Sequence, residues 1–141
     1  MALHQFTDLT TSEPIPVLTE TWIVHAYAPD ERDGGVWFLD LNLEQIPTGN
    51  GPLELGEYQY GGIAMRGHPD WYGEGNAQFL TADGVSDRIE ANAVRSRWCA
   101  ISGRVDGLTG GLAIFDKPSN FRFTQQLRVH SPMPYFCYAA P

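Results

Sequence analysis

Residues 96–138 read SRWCAISGRVDGLTGGLAIFDKPSNFRFTQQLRVHSPMPYFCY, and this stretch decides the fold class. Two apolar runs, Trp98–Ile101 and Leu112–Phe115, flank the turn-rich Gly103–Gly111. The chain turns at VDGLT, residues 105–109, and returns as residues 111–116. A proline-anchored loop at 117–121 follows, and 127–130 and 135–139 close the stretch as short strands separated by SPMP. Short apolar segments with turn signals about every ten residues predict an all-β protein, an antiparallel β-sandwich.

Working back from Ser96, the segment RIEANAVRSRWCAI (88–101) places Ala91, Val94, Trp98 and Ile101 at helical spacing. A strand from about Ser96 is preferred, because the segment runs straight into a glycine turn; a single helical turn fits at 89–93. Residues 77–82 predict a short strand ending at Ala82-Asp83-Gly84. GHPDWYGEGN (67–76) is too polar and glycine-rich for a regular element. It carries His68, Asp70, Trp71 and Tyr72, and exposed aromatics on a long loop hint at function. LELGEYQYGGIAMR (53–66) predicts strand, a Gly61-Gly62 break, then strand, the break marking a bulge or a close backbone approach. Further back, VLTETWIVHAY (17–27) and VWFLDLNL (36–43) alternate as a hairpin around the turn PDERDGG (29–35). Residues 1–14 predict an extended segment or strand fragment, with His4 near a frayed end.

At 141 residues the chain fits a single β-sandwich domain, 1–141, or a fragment of one. Hydrophobic residues at 43% and aromatics at 12% exclude a disordered chain. No apolar run approaches the ~20 residues that a membrane-spanning helix needs. MALHQFTD lacks the basic and apolar regions of a secretory signal, so the expectation is a soluble protein; no compartment is assigned. A net charge of −8 argues against nucleic-acid binding. The charge is uneven: residues 1–87 hold 2 basic and 14 acidic side chains, and residues 88–141 hold 7 and 3. Either the halves neutralise each other, or the arginines line a pocket for an anionic or polyhydroxylated ligand. Eight of the nine basic residues are arginine, which favours forked, fixed hydrogen bonding over loose surface charge. Cys99 and Cys137 lie inside apolar segments and read as buried thiols, with a single disulfide as the alternative.

EYQYGGIAMRG, RSRWCAISGRVDGLTGGLAIFDKPSNFR and RVHSPMPYF together resemble a bacterial β-sandwich family that carries the label methane oxygenase PmoA. The label belongs to soluble proteins, not to the membrane methane monooxygenase. The resemblance runs from about Trp22 to the C-terminus. It implies a large sandwich of the galactose-mutarotase-like supersandwich type and a link to bacterial sugar metabolism. It also implies that this chain corresponds to the middle of a longer, histidine-bearing protein and is an incomplete sandwich. Where the family has Asp-His-Pro, this sequence has Asp116-Lys117-Pro118; where it has His-Pro, this sequence has His130-Ser131. No metal role is carried over, no metal ligand is assigned, and no cofactor is named.

Glu57, Arg66, His68 and Asp70 form a candidate acid/base group. Arg95 and Arg97, two apart on an expected strand, would share a face. With Arg104, Arg128 and the Asp116–Asn120 loop they would make a polar rim beside Trp98 or Trp71 that suits sugars. The candidate catalytic residues are His68, His130 and Asp116; the candidate ligand-binding residues are Arg66, Trp71, Arg97, Asn120 and Arg128. Two classes of function fit: an enzyme acting on sugars or sugar acids, and a non-catalytic sugar-binding or structural sandwich that oligomerises through exposed strand edges. The expected partners are a small carbohydrate and further copies of the chain, with neither nucleic acid nor membrane.

Overall fold

A computed structural model describes residues 1–29, 34–54, 56 and 61–139. Glu57, the centre of the expected turn at 30–33, and part of the expected strand at 53–60 lie outside the described residues. The regular elements are ten strands and one 3-10 turn, Pro69–Trp71, and no α-helix occurs among the described residues. All the strand pairings are antiparallel. The protein is all-β, and it divides into two compact units, residues 1–55 and 56–141.

The first unit is one sheet in the order β1-β2-β3, built from β1 (Ala2–Asp8), β2 (Ile15–Tyr27) and β3 (Phe38–Pro47). Strand alternation sets its two faces. Cross-strand pairs Trp22↔Leu43, Val24↔Leu41 and Ala26↔Leu39 make one face apolar. His25↔Asp40 and Ile23↔Asn42 occupy the other, where the Tyr27 hydroxyl donates to Asp40 Oδ2 at 2.8 Å. The strand fragment expected in residues 1–14 is the seven-residue β1, and His4, expected near a frayed end, sits directly opposite Glu20.

The second unit stacks two sheets. β4 (Ile63–Arg66), β10 (Tyr135–Ala139), β9 (Gln126–Val129) and β6 (Val94–Arg95) form the sheet β4-β10-β9-β6. β5 (Ala77–Thr81), β7 (Trp98–Val105) and β8 (Leu108–Phe115) form the sheet β5-β7-β8. The core between them holds Phe79, Cys99 and Ile101 from one sheet and Leu127, Val129, Phe136 and Tyr138 from the other. Phe79 and Phe136 meet edge to face across the gap, with centroids 6.2 Å apart. The β7–β8 hairpin closes on Asp106 and Gly107, both at positive φ (50° and 79°), in the manner of a two-residue hairpin turn. At the Gly61-Gly62 break, Gly62 has φ +79°, and a Cβ there would lie 1.9 Å from the Tyr138 carbonyl oxygen. The close backbone approach read from the glycine pair is real and excludes any side chain.

Two expectations need correction. Trp71, expected on an exposed loop, is 4% exposed and part of the core. Its indole N–H donates to the Arg104 carbonyl at 3.0 Å, so a polar handle that would otherwise be orphaned is satisfied. Arg95 and Arg97 do not share a strand. Arg95 ends β6 in one sheet, and Arg97 lies in the bend that carries the chain to β7 in the other. The buried Ser96 hydroxyl holds this crossing, accepting from Ala82 N at 3.2 Å and donating to the Trp98 carbonyl at 3.0 Å. The single helical turn expected near Ile89–Ala93 is present, closed by Ala91 N to Asp87 O at 2.9 Å.

Candidate functional site

The two core-facing sets, Leu127/Val129 and Phe136/Tyr138, send the alternate residues of β9 and β10 to the outer face of the four-stranded sheet. That face is ordered in rows by strand register. Arg66 stands opposite Tyr135, whose carbonyl accepts from His130 N at 3.0 Å. The next row is Ala64, Cys137 and Arg128. At strand spacings of ~4.8 Å and ~6.8 Å between same-face rows, the patch measures about 10 Å by 7 Å before the long side chains extend it.

Tyr135 is the hub. The Arg66 guanidinium lies over its ring at 5.9 Å, and His130 meets it edge-on at 6.4 Å. Among the described residues Arg66 makes no hydrogen bond or ion pair, and the residue is exposed. Arg128 is held more firmly, donating to Asn92 Oδ1 at 2.9 Å. Small residues form the floor: Cys137 is fully buried beneath the larger side chains, with Ala64 beside it. Burial pushes the Cys137 thiol up, and a hydrogen bond with Tyr135 and the nearby Arg128 charge only partly oppose it. A niche of about 50 Å³ adjoins Arg128, lined by Asn92, Ala93, Gln126 and Leu127. It has room for a water or two, far less than the ~300 Å³ of a closed small-molecule pocket. The described part of the face is cationic and centred on the Tyr135 ring.

The other expected residues fall elsewhere. His68 caps the 3-10 turn, its Nδ1 accepting from Asp70 N at 3.2 Å and lying 3.6 Å from Asp70 Oδ2. It follows β4 directly, at the same end of the sheet as Arg66, since Gly67 N bonds the Pro134 carbonyl. Asp116, Asn120 and Arg97 gather at the opposite end of the sandwich. There Asp116 N donates to the Arg97 carbonyl at 2.8 Å. The Asp116 carboxylate, 8% exposed, accepts from Asn120 Nδ2 and from Gln125 N, each at 2.8 Å. Its oxygens organise the 116–125 loop. The single rim expected from the sequence is thus two: Arg66, His68, Arg128 and His130 towards one end, and Arg97, Asp116 and Asn120 at the other.

The imidazole contacts also define what each ring offers. His130 Nδ1 accepts from Met133 N at 3.4 Å, as His68 Nδ1 does from Asp70 N, so each neutral ring carries its proton on Nε2. Both present donors to a ligand. Among the described residues, no group of three or more His, Cys, Asp or Glu could hold a metal ion, and no helix is long and apolar enough to cross a membrane.

Sequence reasoning missed Tyr135 as the hub, although the period-two pattern of YFCYA, with two aromatics flanking a cysteine, carried the signal. The fold and face define an all-β protein with a two-sheet unit bearing an arginine–tyrosine platform. The chain belongs to a family of unknown function, DUF6807, whose pattern matches residues 2–140. No curated protein and no solved structure matches it.

Proposed function

We propose that the C-terminal unit binds a sugar or sugar acid on the outer face of its four-stranded sheet. The observation that carries this reading is that Arg66 and His130 flank the Tyr135 ring, with Arg128 in the adjacent row of the same face. Arginine forks suit carboxylates and paired hydroxyls, and a tyrosine ring packs against sugar C–H surfaces. Among the described residues donors dominate the face, which favours binding over turnover. The resemblance to the bacterial sandwich family labelled methane oxygenase PmoA, and through it to galactose-mutarotase-like supersandwiches, supports a carbohydrate as ligand.

The test is a chemical-shift titration with a uronic acid and its neutral parent sugar. Shifts at Ala64, Arg66, Arg128, Tyr135 and Cys137, stronger for the acid and lost in Arg66→Ala, are the expected result. Shifts confined to residues remote from this face, or left intact by Arg66→Ala, would refute it.

A second reading has its own observation. β3 is a ten-residue strand, paired among the described strands only with β2 and exposed along its length. Unpaired edges of this length template pairing with another copy. Residues 1–55 hold one basic and nine acidic side chains, so self-association by this route should strengthen with salt. Light scattering over a concentration series at low and high ionic strength checks it: a mass that stays monomeric throughout rules it out.

A further inference from the structure

We infer that His4 and Glu20 form a reactive site, in which the carboxylate fixes the imidazole tautomer and leaves Nε2 bare as a nucleophile towards neutral acyl esters. The site lies wholly within the N-terminal sheet and is independent of the platform above. His4, Glu20 and Gln45 form one cross-strand row over β1, β2 and β3. Leu18 and Trp22 lie along β2 on either side of Glu20 on the same face, which leaves Glu20 only 5% exposed.

Three donors among the described residues meet that carboxylate. Gln45 Nε2 donates to Oε1 at 2.7 Å. The Trp22 indole N–H and His4 Nδ1, the latter at 3.1 Å, converge on Oε2. Burial by itself would push the Glu20 carboxyl up, but the bonds from Gln45, His4 and Trp22 outweigh it and hold it below the usual range. An ionised carboxylate only accepts, so the His4 proton must sit on Nδ1. A neutral imidazole has one N–H, and Nε2 is then a free lone pair. This is the reverse of His68 and His130, whose Nδ1 atoms accept. Trp22 packs edge-on to the His4 ring at 5.5 Å and 75°, and the His4 side chain is still 47% exposed.

The surroundings select the substrate class. Ala2 and Phe6 are the same-face neighbours of His4 on β1, and Phe6 is half-exposed, an apolar flank. Glu20 and the −8 balance of residues 1–55 repel anions. A neutral ester with an apolar or aromatic group fits both conditions. In the step, the Nε2 lone pair attacks the ester carbonyl carbon, and the bond to the leaving oxygen breaks with its electron pair. The acyl-imidazolium charge is stabilised by Glu20. Water then attacks the acyl carbon, releasing the acid and a proton and restoring the neutral ring.

Two measurements on the full chain test this. Long-range 15N–1H spectra should show His4 with a pyrrole-type Nδ1 and a pyridine-type Nε2, reverting towards the Nε2–H form in Glu20→Gln. With p-nitrophenyl acetate as probe, His4→Gln, which can still donate to Glu20, should lower phenolate release by about tenfold, while His25→Gln leaves it unchanged. An Nε2–H tautomer in the wild type, or release unaffected by His4→Gln, overturns the proposal.

Discussion

Replacing Trp71 separates a core role from a ligand platform, and the structure sets the size of the effect. The indole is 4% exposed, it bonds the Arg104 carbonyl, and it presses on two glycines. A Cβ added at Gly67 would lie 2.5 Å from its Cε3, and one at Gly103 would lie 2.7 Å from its Cδ1. Truncating a buried aromatic to alanine costs about 3–5 kcal/mol. The 86 residues of the C-terminal unit should hold only about 4–13 kcal/mol in total, so Trp71→Ala should leave it marginal or unfolded. Trp71→Phe is the sharper probe. It keeps most of the volume but loses the N–H bond and part of the ring, about 1–3 kcal/mol together. With a urea slope of about 1 kcal/mol/M for a unit this size, the midpoint should fall by roughly 1–3 M in far-UV circular dichroism. Binding by the folded fraction should be unchanged. An unaltered midpoint combined with weakened uronic-acid binding would refute the assignment of Trp71 to the core.

Other outcomes follow from the same contacts. The folded carboxyl of Glu20 lies below its ordinary value of 4.5, so its contribution is complete above that pH and is lost as pH falls through the folded value. Acid unfolding of the N-terminal sheet should accordingly lose part of its pH dependence in Glu20→Gln, read from melting curves between pH 6 and pH 3. Asp116→Ala removes two hydrogen bonds to a carboxylate and should cost about 2–4 kcal/mol, with faster hydrogen exchange at the Gln125 amide. Burial pushes the Cys99 thiol up to about 12 and also raises Cys137. Both should resist iodoacetamide in the native protein and alkylate fully in denaturant, as mass spectrometry would show. Fast native labelling of Cys99 would contradict its place in the core.

Much of the fold was legible because it is written in local chemistry. The alternation of VLTETWIVHAY against VWFLDLNL predicts a hairpin and its apolar face, since side chains on a strand point to alternate sides whatever lies beyond. VDGLT predicts the β7–β8 turn, because glycine takes a backbone that other residues resist. RIEANA yields its helical turn for the same local reason. Misreadings arose where a residue's fate depended on partners far along the chain. The loop around Trp71 is as polar as an exposed loop should be, and nothing nearby shows the slot left by Gly67 and Gly103. RSRWC looks continuous, yet the chain changes sheets at Ser96 and Arg97, which puts Arg95 and Arg97 in different layers.

Composition and period-two patterning therefore determined the all-β class, the hairpins and the arginine-rich character of the C-terminal half. Only the tertiary structure decided which arginines share a face, that Asp116 lies at the far end from His130, and that His4 meets Glu20. Those facts depend on register and sheet order. Contacts between residues 16 to 75 positions apart set both, and no short stretch of chain encodes them.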